Sequence, residues 1–305
     1  MSVVEKAVDS MSDLRLARRH QADQDELGTD TKNELMSAPT FVLDNRFLSK
    51  QGFYVPSEKP QRLALELRAV KRRLLRRLKF FKSEAERRKK QVSGDRQHNL
   101  ILMTSTRPAE GKTFNAINLA LSFAQEDNIG VILIDADVPR PKIFSHFGLS
   151  GHLGLTDRIV NPDLQLSDIA IVAEGVPLTL ISEGTQFGSA ADYYQRQEMS
   201  DFVTKLSAQY PDHLIIFDAP PVLATPEAVV LAKYVDEVVF IVEANGTPEP
   251  AVATALDEIL DSTDRVSLVL NRCMVPESAT HYGSYEEYYY RAKGGRGGQS
   301  FRNLD

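Results

Sequence analysis

From Leu100 onward, short apolar runs alternate with stretches of helical periodicity, and this alternation limits the fold more than any other feature of the sequence. Runs of Val, Ile and Leu without polar alternation are typical of parallel strands covered by helices on both faces. Strands are predicted over 100–105, 130–137, 177–184, 213–220, 236–244 and 265–272. Helices are predicted over 112–126, 192–209 and 249–261. The sequence therefore predicts one α/β domain with a mainly parallel sheet flanked by helices on both faces.

The first hundred residues have a different character. Residues 1–40 are polar and mixed in charge, which predicts a disordered segment, and 41–56 carry scattered aromatic side chains that predict a strap on the main domain. From Gln61, apolar residues recur at steps of three or four with arginine and lysine between them, which predicts a basic amphipathic helix. Its apolar positions are Leu63, Leu67, Val70, Leu74, Leu78 and Phe81.

The first predicted strand leads into "STRPAEGKTFNAINLA". Gly111, Lys112 and Thr113 match the phosphate-binding pattern G-x-x-x-x-G-K-[ST], and Thr106 stands at its usual first glycine. Backbone N–H groups would hold phosphates there, Lys112 would reach the β and γ oxygens, and the Thr113 hydroxyl would bind Mg²⁺. The alternative is an incidental Gly-Lys-Thr at the start of a helix.

Two more predicted strands end in carboxylates. Asp135 and Asp137 would point the same way if the strand continued through both, and could then hold hydrated Mg²⁺ or accept a proton. The alternative is a solvated strand end that caps a helix. Asp218 follows four apolar residues in "LIIFDAPP", the Walker B pattern. Because ligands bind at the carboxyl ends of parallel strands, the three motifs together predict a Mg-nucleotide site.

The last predicted strand ends in Asn271, which could bond the adenine edge while Arg272 stacks on the ring; a turn asparagine is the alternative. The residues predicted to contact ATP are Thr106, Arg107, Pro108, Ala109, Glu110, Gly111, Lys112, Thr113, Phe114, Asn271 and Arg272. The predicted metal ligands are Thr113, Asp135 and Asp218. The predicted catalytic residues are Lys112, Asp135, Asp137 and Asp218.

Five of the ten tyrosines lie near the C-terminus in "YGSYEEYYYR". With the motifs above, they make the chain resemble the bacterial tyrosine kinases of polysaccharide export, most closely the stand-alone autokinases associated with exosortase loci. The segments "ILIDADVPRP", "LIIFDAPPVLATPEA", "FVLDNRFLSKQGFYVPSEKP" and "ELRAVKRRLL" carry the likeness too, which covers about residues 41–290.

The resemblance implies a MinD/ParA-like P-loop NTPase fold, with ATP and Mg²⁺ as cofactors. It implies autophosphorylation, in cis or in trans, of Tyr282, Tyr285, Tyr288, Tyr289 and Tyr290. It also implies a cytoplasmic protein, peripheral at the inner membrane through a membrane-bound polysaccharide co-polymerase that activates it, and a role in regulating polysaccharide synthesis and export. The expected organisation is a disordered segment 1–40, strap and basic helix 41–95, P-loop kinase domain 96–280 and flexible tyrosine-rich tail 281–305.

Some positions depart from the family pattern. Ala109 replaces a loop glycine, which we expect to be tolerated only if its φ stays negative. Arg107 occupies the position of the second signature lysine of MinD/ParA proteins. In the E-x-x-R-x-x-R assembly motif, Arg68 and Lys71 fit the basic positions, but Leu65 stands at the acidic one. Because the motif is incomplete, the sequence leaves open whether the chain forms a homo-oligomer.

Two other functions fit parts of the sequence. A MinD/ParA-like ATPase acting as a spatial switch would use the nucleotide site but leave the tyrosines without a role. A nucleic-acid-binding protein would use the tyrosines and "RAKGGRGG" as a stacking platform. Glu286, Glu287 and a net charge of −6 argue against that reading, so we expect no nucleic-acid partner.

Overall fold

The computed structural model describes residues 31–56, 62–80, 98–186 and 188–273. The chain divides into two compact units, Met1–Asn271 and Arg272–Asp305. The tail with its five tyrosines lies outside the described residues, as does most of the segment 1–40.

An eight-stranded sheet runs through the first unit, in the order β1-β4-β5-β3-β6-β2-β7-β8. Neighbouring strands are parallel except β4 and β5, which are antiparallel, so the expected mainly parallel sheet is confirmed. The strands are β1 Thr40–Phe41, β2 Leu100–Ser105, β3 Gly130–Asp135, β4 Ala170–Ala173, β5 Leu178–Ile181, β6 His213–Asp218, β7 Glu237–Glu243 and β8 Val266–Asn271.

Helices cover both faces of the sheet in the described residues. A 3₁₀ helix over Thr31–Ser37 comes first. The α-helices are α1 Asn45–Lys50, α2 Arg62–Arg77, α3 Lys112–Phe123, α4 Ile143–His146, α5 Leu155–Val160, α6 Leu166–Ile169, α7 Ala190–Tyr194, α8 Gln197–Gln209, α9 Glu227–Ala232 and α10 Glu249–Leu260. Alternate residues of the central strands enter two separate apolar cores, one under α2 and α3 and one under α5–α10. The central strands are buried on both faces for this reason, which explains their unbroken apolar sequence.

The strap lies on the same core as the helix that follows the phosphate loop. The ring of Phe53 stacks on Phe114 of α3 with centroids 5.2 Å apart, and Asn118 of α3 accepts a hydrogen bond from the Tyr54 N–H at 2.6 Å. At the other end of the strap, β1 pairs with β4 and extends the sheet. The strap therefore ties the sheet edge to the phosphate-loop helix.

The basic helix α2 buries one face on α3. Leu67, Leu74 and Leu78 are buried there as expected, while Phe81 lies outside the described residues. Lys71 is also buried, although it is one of the two basic positions of the assembly motif. Its ammonium group donates to the Ser122 carbonyl at 2.8 Å and lies 2.5 Å from Glu126. Lys71 thus binds the C-terminal end of α3 within the same chain.

Candidate active site

The phosphate loop spans residues 106–111, between the end of β2 and the start of α3. Gly111 has φ of 95°, and a Cβ there would come within 2.2 Å of the Asn271 amide nitrogen, so the position requires glycine. Ala109 has φ of 70°, in the left-handed region. The condition set for alanine at this position, a negative φ, is not met, because Ala109 adopts the left-handed conformation that favours glycine.

Glu110 of the loop itself and two side chains that follow or end β7 and β8 hold the loop in shape. The Glu110 carboxylate accepts a hydrogen bond from the Arg107 N–H at 3.0 Å and another from the Thr247 hydroxyl. The Asn271 amide donates to the Glu110 carbonyl at 2.8 Å. Glu110 is buried, so these bonds satisfy groups that water does not reach. The backbone that would cradle phosphate is therefore fixed from β7 and β8.

Lys112 lies under the loop among carboxylates. Its ammonium group is 2.6 Å from Asp137 and 3.7 Å from Asp218, and it lies 3.4 Å from the Thr113 hydroxyl. Burial lowers the pKa of Lys112, but Asp218 and Asp137 outweigh burial, so its pKa is raised. The side chain is therefore a fixed positive charge at the end of the sheet.

Asp135 ends β3 and is fully buried. Its carboxylate accepts from the N–H groups of Lys142 and Ile143 at 2.9 Å each, and from the Asp137 N–H at 3.2 Å. Burial raises the pKa of Asp135, and the charge of Asp218 raises it further. The strand stops at Asp135, so the two aspartates are not successive same-face strand residues. The alternative for this pair is a solvated strand end that caps a helix. Asp135 does cap the start of α4, but it is buried and not solvated.

Asp218 lies at the end of β6, level with Asp135 on β3. It is buried, and neither carboxylate oxygen has a hydrogen-bond partner among the described residues. Burial raises the pKa of Asp218, although Lys112 opposes the shift. A buried carboxylate with the Lys112 ammonium group 3.7 Å away and the Thr113 hydroxyl beside it fits a hydrated Mg²⁺, which takes few protein ligands and keeps several waters. In the described part of the chain, no cluster of three or more His, Cys, Asp or Glu residues could hold a metal alone.

The remaining predicted ATP contacts fall into three groups. Arg107 and Pro108 are exposed on the loop, while Thr106 is buried with an unpartnered hydroxyl among the described residues. Phe114 faces the strap, where it stacks on Phe53. Asn271 uses its amide on the loop, and Arg272 belongs to the second unit. Their roles with ATP stay predictions.

Two residues near the site were not predicted from the sequence. Thr247 binds Glu110 although the two are 137 positions apart, and Tyr194 donates its hydroxyl to the Ala136 carbonyl, between the two aspartates, at 3.1 Å. Tyr194 is fully buried. Neither residue stands in a recognisable motif, so only the "NGTP" turn after β7 could have indicated Thr247.

The fold and the site define the class of protein. A glycine-containing loop joins a central parallel strand to a helix, its lysine points at aspartates from two neighbouring strands, and helices cover both faces. These features are those of a P-loop NTPase. In the described residues, no helix is both long and apolar enough to cross a bilayer.

Within that class, the chain is similar to bacterial tyrosine kinases, as the motifs predicted. It is 27% identical over 194 residues to the tyrosine-protein kinase YwqD of Bacillus subtilis, covering 64% of this chain and 80% of that protein. It is 31% identical over 138 residues to the tyrosine-protein kinase ptk of Acinetobacter johnsonii, covering 45% of this chain but only 18% of that protein.

Solved structures agree with the sequence comparison. The kinase domain of VpsO superimposes with a TM-score of 0.53 at 29% identity, covering 68% of this chain and 98% of that domain. No family model matches the chain. The expectation of a resemblance to the bacterial tyrosine kinases is confirmed, while the closer likeness to the exosortase-associated group stays a prediction.

Proposed function

We propose that this chain is an ATP-dependent protein-tyrosine autokinase that phosphorylates its own C-terminal tyrosines. The observation that carries the proposal is the position of Lys112, between Asp137 and Asp218 at the end of a phosphate loop. The similarity to YwqD, a tyrosine-protein kinase, and the five tyrosines of the tail support the same reaction.

The nucleotide phosphates would lie on the backbone of residues 106–113, where the N-terminal end of α3 favours negative charge. Lys112 would neutralise charge on the γ-phosphoryl group. Thr113 and Asp218 would hold Mg²⁺, with Asp135 acting through water, and the ion would offset the charge of the phosphates. Positioning and electrostatics supply most of the rate enhancement in phosphoryl transfer.

In the proposed reaction, the phenolic oxygen of a tail tyrosine attacks the γ-phosphorus of ATP. The bond between that phosphorus and the β–γ bridging oxygen breaks, and ADP leaves. The phenolic proton passes to Asp137, or to Asp135. A tyrosine hydroxyl has a pKa near 10, so a carboxylate placed to accept its proton is useful at neutral pH.

The product would limit its own further binding. Each phosphotyrosine adds about −1.5 to −2 charges at neutral pH. Several on one tail would repel one another and the carboxylates of the site, so the tail would leave. The number of phosphorylated tyrosines would then determine whether the tail stays bound to the site or leaves it.

The tyrosine kinases related to this chain include CpsD of Streptococcus agalactiae and Wzc of Salmonella typhimurium. We extend the proposal to the setting that the family resemblance implies. The chain would regulate polysaccharide synthesis and export from the cytoplasmic face of the inner membrane, and a membrane-bound co-polymerase would recruit and activate it.

The test is an incubation of the purified full-length chain with Mg-ATP, followed by phosphotyrosine detection and mass spectrometry. We expect label at residues 282–290 that is lost in Lys112→Met. Lys112→Arg keeps a cation beside Asp137 and serves as the folding control, because arginine cannot reproduce the point contact of lysine with phosphate. Label that persists in Lys112→Met, or that lies elsewhere, contradicts the proposal. Rapid ATP hydrolysis without tyrosine label would instead favour a MinD/ParA-like switch.

A further inference from the structure

Two cationic side chains flank the Asp-x-Asp segment. The Arg140 N–H donates to Asp137 at 3.2 Å, and the Lys142 N–H donates to Asp135 at 2.9 Å. Both residues are exposed, and neither side chain forms an ion pair with any residue in the described ranges. We call Arg140 and Lys142 the basic rim. Their backbones hold the two aspartates, and the Lys142 charge lies near His146, but neither charge is paired with a carboxylate in those ranges.

The rim differs in charge from the site it borders. Asp135, Asp137 and Asp218 are buried at the strand ends, and the Lys112 ammonium group forms ion pairs with Asp137 and Asp218. A peptide that carries carboxylates would be repelled by such a site. The basic rim would instead attract carboxylates that flank the tyrosine and remain at the surface. The neutral tyrosine ring would enter the acidic site. The arrangement therefore favours a substrate whose tyrosine is neutral and whose neighbours are acidic.

The candidate substrate has this composition. Glu286 and Glu287 separate Tyr285 from Tyr288 in "YGSYEEYYYR". We propose that the basic rim selects tyrosines flanked by carboxylates, so that the substrate class of this kinase is an acidic tyrosine peptide. This inference rests on the proposed function and adds to it the residues that determine specificity.

The experiment uses the full-length chain as enzyme and three added peptides as substrates. The first is the natural segment 282–291, the second has glutamine at both glutamate positions, and the third has lysine at both. Exposed ion pairs have modest energies, so we expect the natural peptide to have a KM about two- to tenfold lower than the glutamine peptide. This preference should shrink in high salt, because exposed charges are screened.

The charge-reversed enzyme Arg140→Glu/Lys142→Glu should lose the preference for the natural peptide and favour the lysine peptide. The matched control is Lys233→Glu, since Lys233 is exposed and precedes β7, at the opposite end of the sheet from the site. The control should keep the wild-type order of peptides.

Three results would overturn the inference. One is an equal KM for the natural and glutamine peptides with the wild-type enzyme. Another is a charge-reversed enzyme whose ATP affinity falls while its peptide order is unchanged, which would assign the rim to the nucleotide. The third is an absence of tyrosine label on both tail and peptides, which would overturn the proposed function as well. If the tail is labelled, either of the first two results overturns the specificity alone.

Discussion

At the scale of single residues, Ala109 carries a local strain within the phosphate loop. Its φ of 70° is one that residues with a Cβ rarely adopt. A left-handed conformation costs an L-residue about 1–2 kcal/mol. The neighbouring bonds to Glu110 impose the turn, so the strain is offset by contacts elsewhere in the loop.

We therefore expect Ala109→Gly to stabilise the protein. Relief of the left-handed strain exceeds the extra freedom of glycine in the unfolded chain, leaving a net gain of about 0.5–1 kcal/mol. The matched control is Ala124→Gly, because Ala124 has φ of −62° and its replacement should destabilise the fold. Thermal unfolding of both variants checks this, and a lower midpoint for Ala109→Gly would contradict the reading of the loop.

At the scale of elements, Lys71 connects α2 to α3. Its buried ammonium group binds the Ser122 carbonyl and Glu126, and lies 5.9 Å above the Phe123 ring. A cation at the C-terminal end of a helix is also favoured by the helix dipole. In this chain, the residue at the second basic position of the assembly motif stabilises the fold of its own subunit.

Lys71→Ala should lower the free energy of unfolding by about 2 kcal/mol, because a hydrogen bond from a charged donor is lost and a buried carbonyl is left without it. Arg72→Ala, on the exposed face of the same helix, should change it by less than about 0.5 kcal/mol. Urea unfolding gives both values. If Lys71→Ala altered only the sedimentation coefficient, with stability unchanged, the residue would belong to an interface between subunits.

The strap provides a pH-dependent contact. His146 lies against Phe53 with ring centroids 5.0 Å apart, and its Nδ1 is 2.8 Å from the Gln51 side-chain oxygen. Burial lowers the pKa of His146, and the nearby charge of Lys142 lowers it further. The folded protein thus disfavours the protonated ring.

The unfolded chain takes up this proton first as pH falls through about 6.5, so acidification reduces stability. We expect the unfolding midpoint of His146→Gln to fall less between pH 7.5 and pH 5.5 than that of the wild type. Equal falls in the two proteins would mean that other groups account for the acid sensitivity. Thermal scans at several pH values make the comparison.

At the scale of the whole molecule, ligand binding should be coupled to stability. A ligand that binds only the folded state at about 100 times its Kd adds about 2.7 kcal/mol. For a domain of this size, that corresponds to a rise of about 5–10 °C in the unfolding midpoint. We expect such a rise with Mg-ATP in the wild type, and little rise in Lys112→Met. An equal rise in both would show that the nucleotide does not depend on the phosphate loop.

The sequence predicts the centre of this molecule better than its edges. Strands β2, β3 and β6 are buried on both faces, so their composition alone identifies them. Strands β1 and β4 have two and four residues, and their pairing depends on where the strap meets the sheet, which no local pattern encodes. The predicted helix 192–209 is two helices, α7 and α8, with Gln195 and Arg196 between them.

The same limit applies to the candidate site. Lys112, Asp135, Asp137 and Asp218 stand in motifs and were predicted by spacing. The ion pair between Lys112 and Asp137 joins residues 25 positions apart, and the length of the β3 strand decides which aspartate meets the lysine. Such partners depend on the packed structure, so motif spacing alone does not identify them.

The bond between Lys112 and Asp137 has a consequence for the order of events. The cation that would meet phosphate and the carboxylate that would deprotonate tyrosine lie 2.6 Å apart and neutralise each other. Phosphate oxygens that reach Lys112 compete with Asp137 for the same N–H donors. Under the proposed mechanism, ATP binding would release Asp137 from Lys112. A tyrosine that bound before ATP would then find no free carboxylate to accept its proton. Under that mechanism, nucleotide binding would precede deprotonation of the tyrosine, so the two substrates would react in a fixed order.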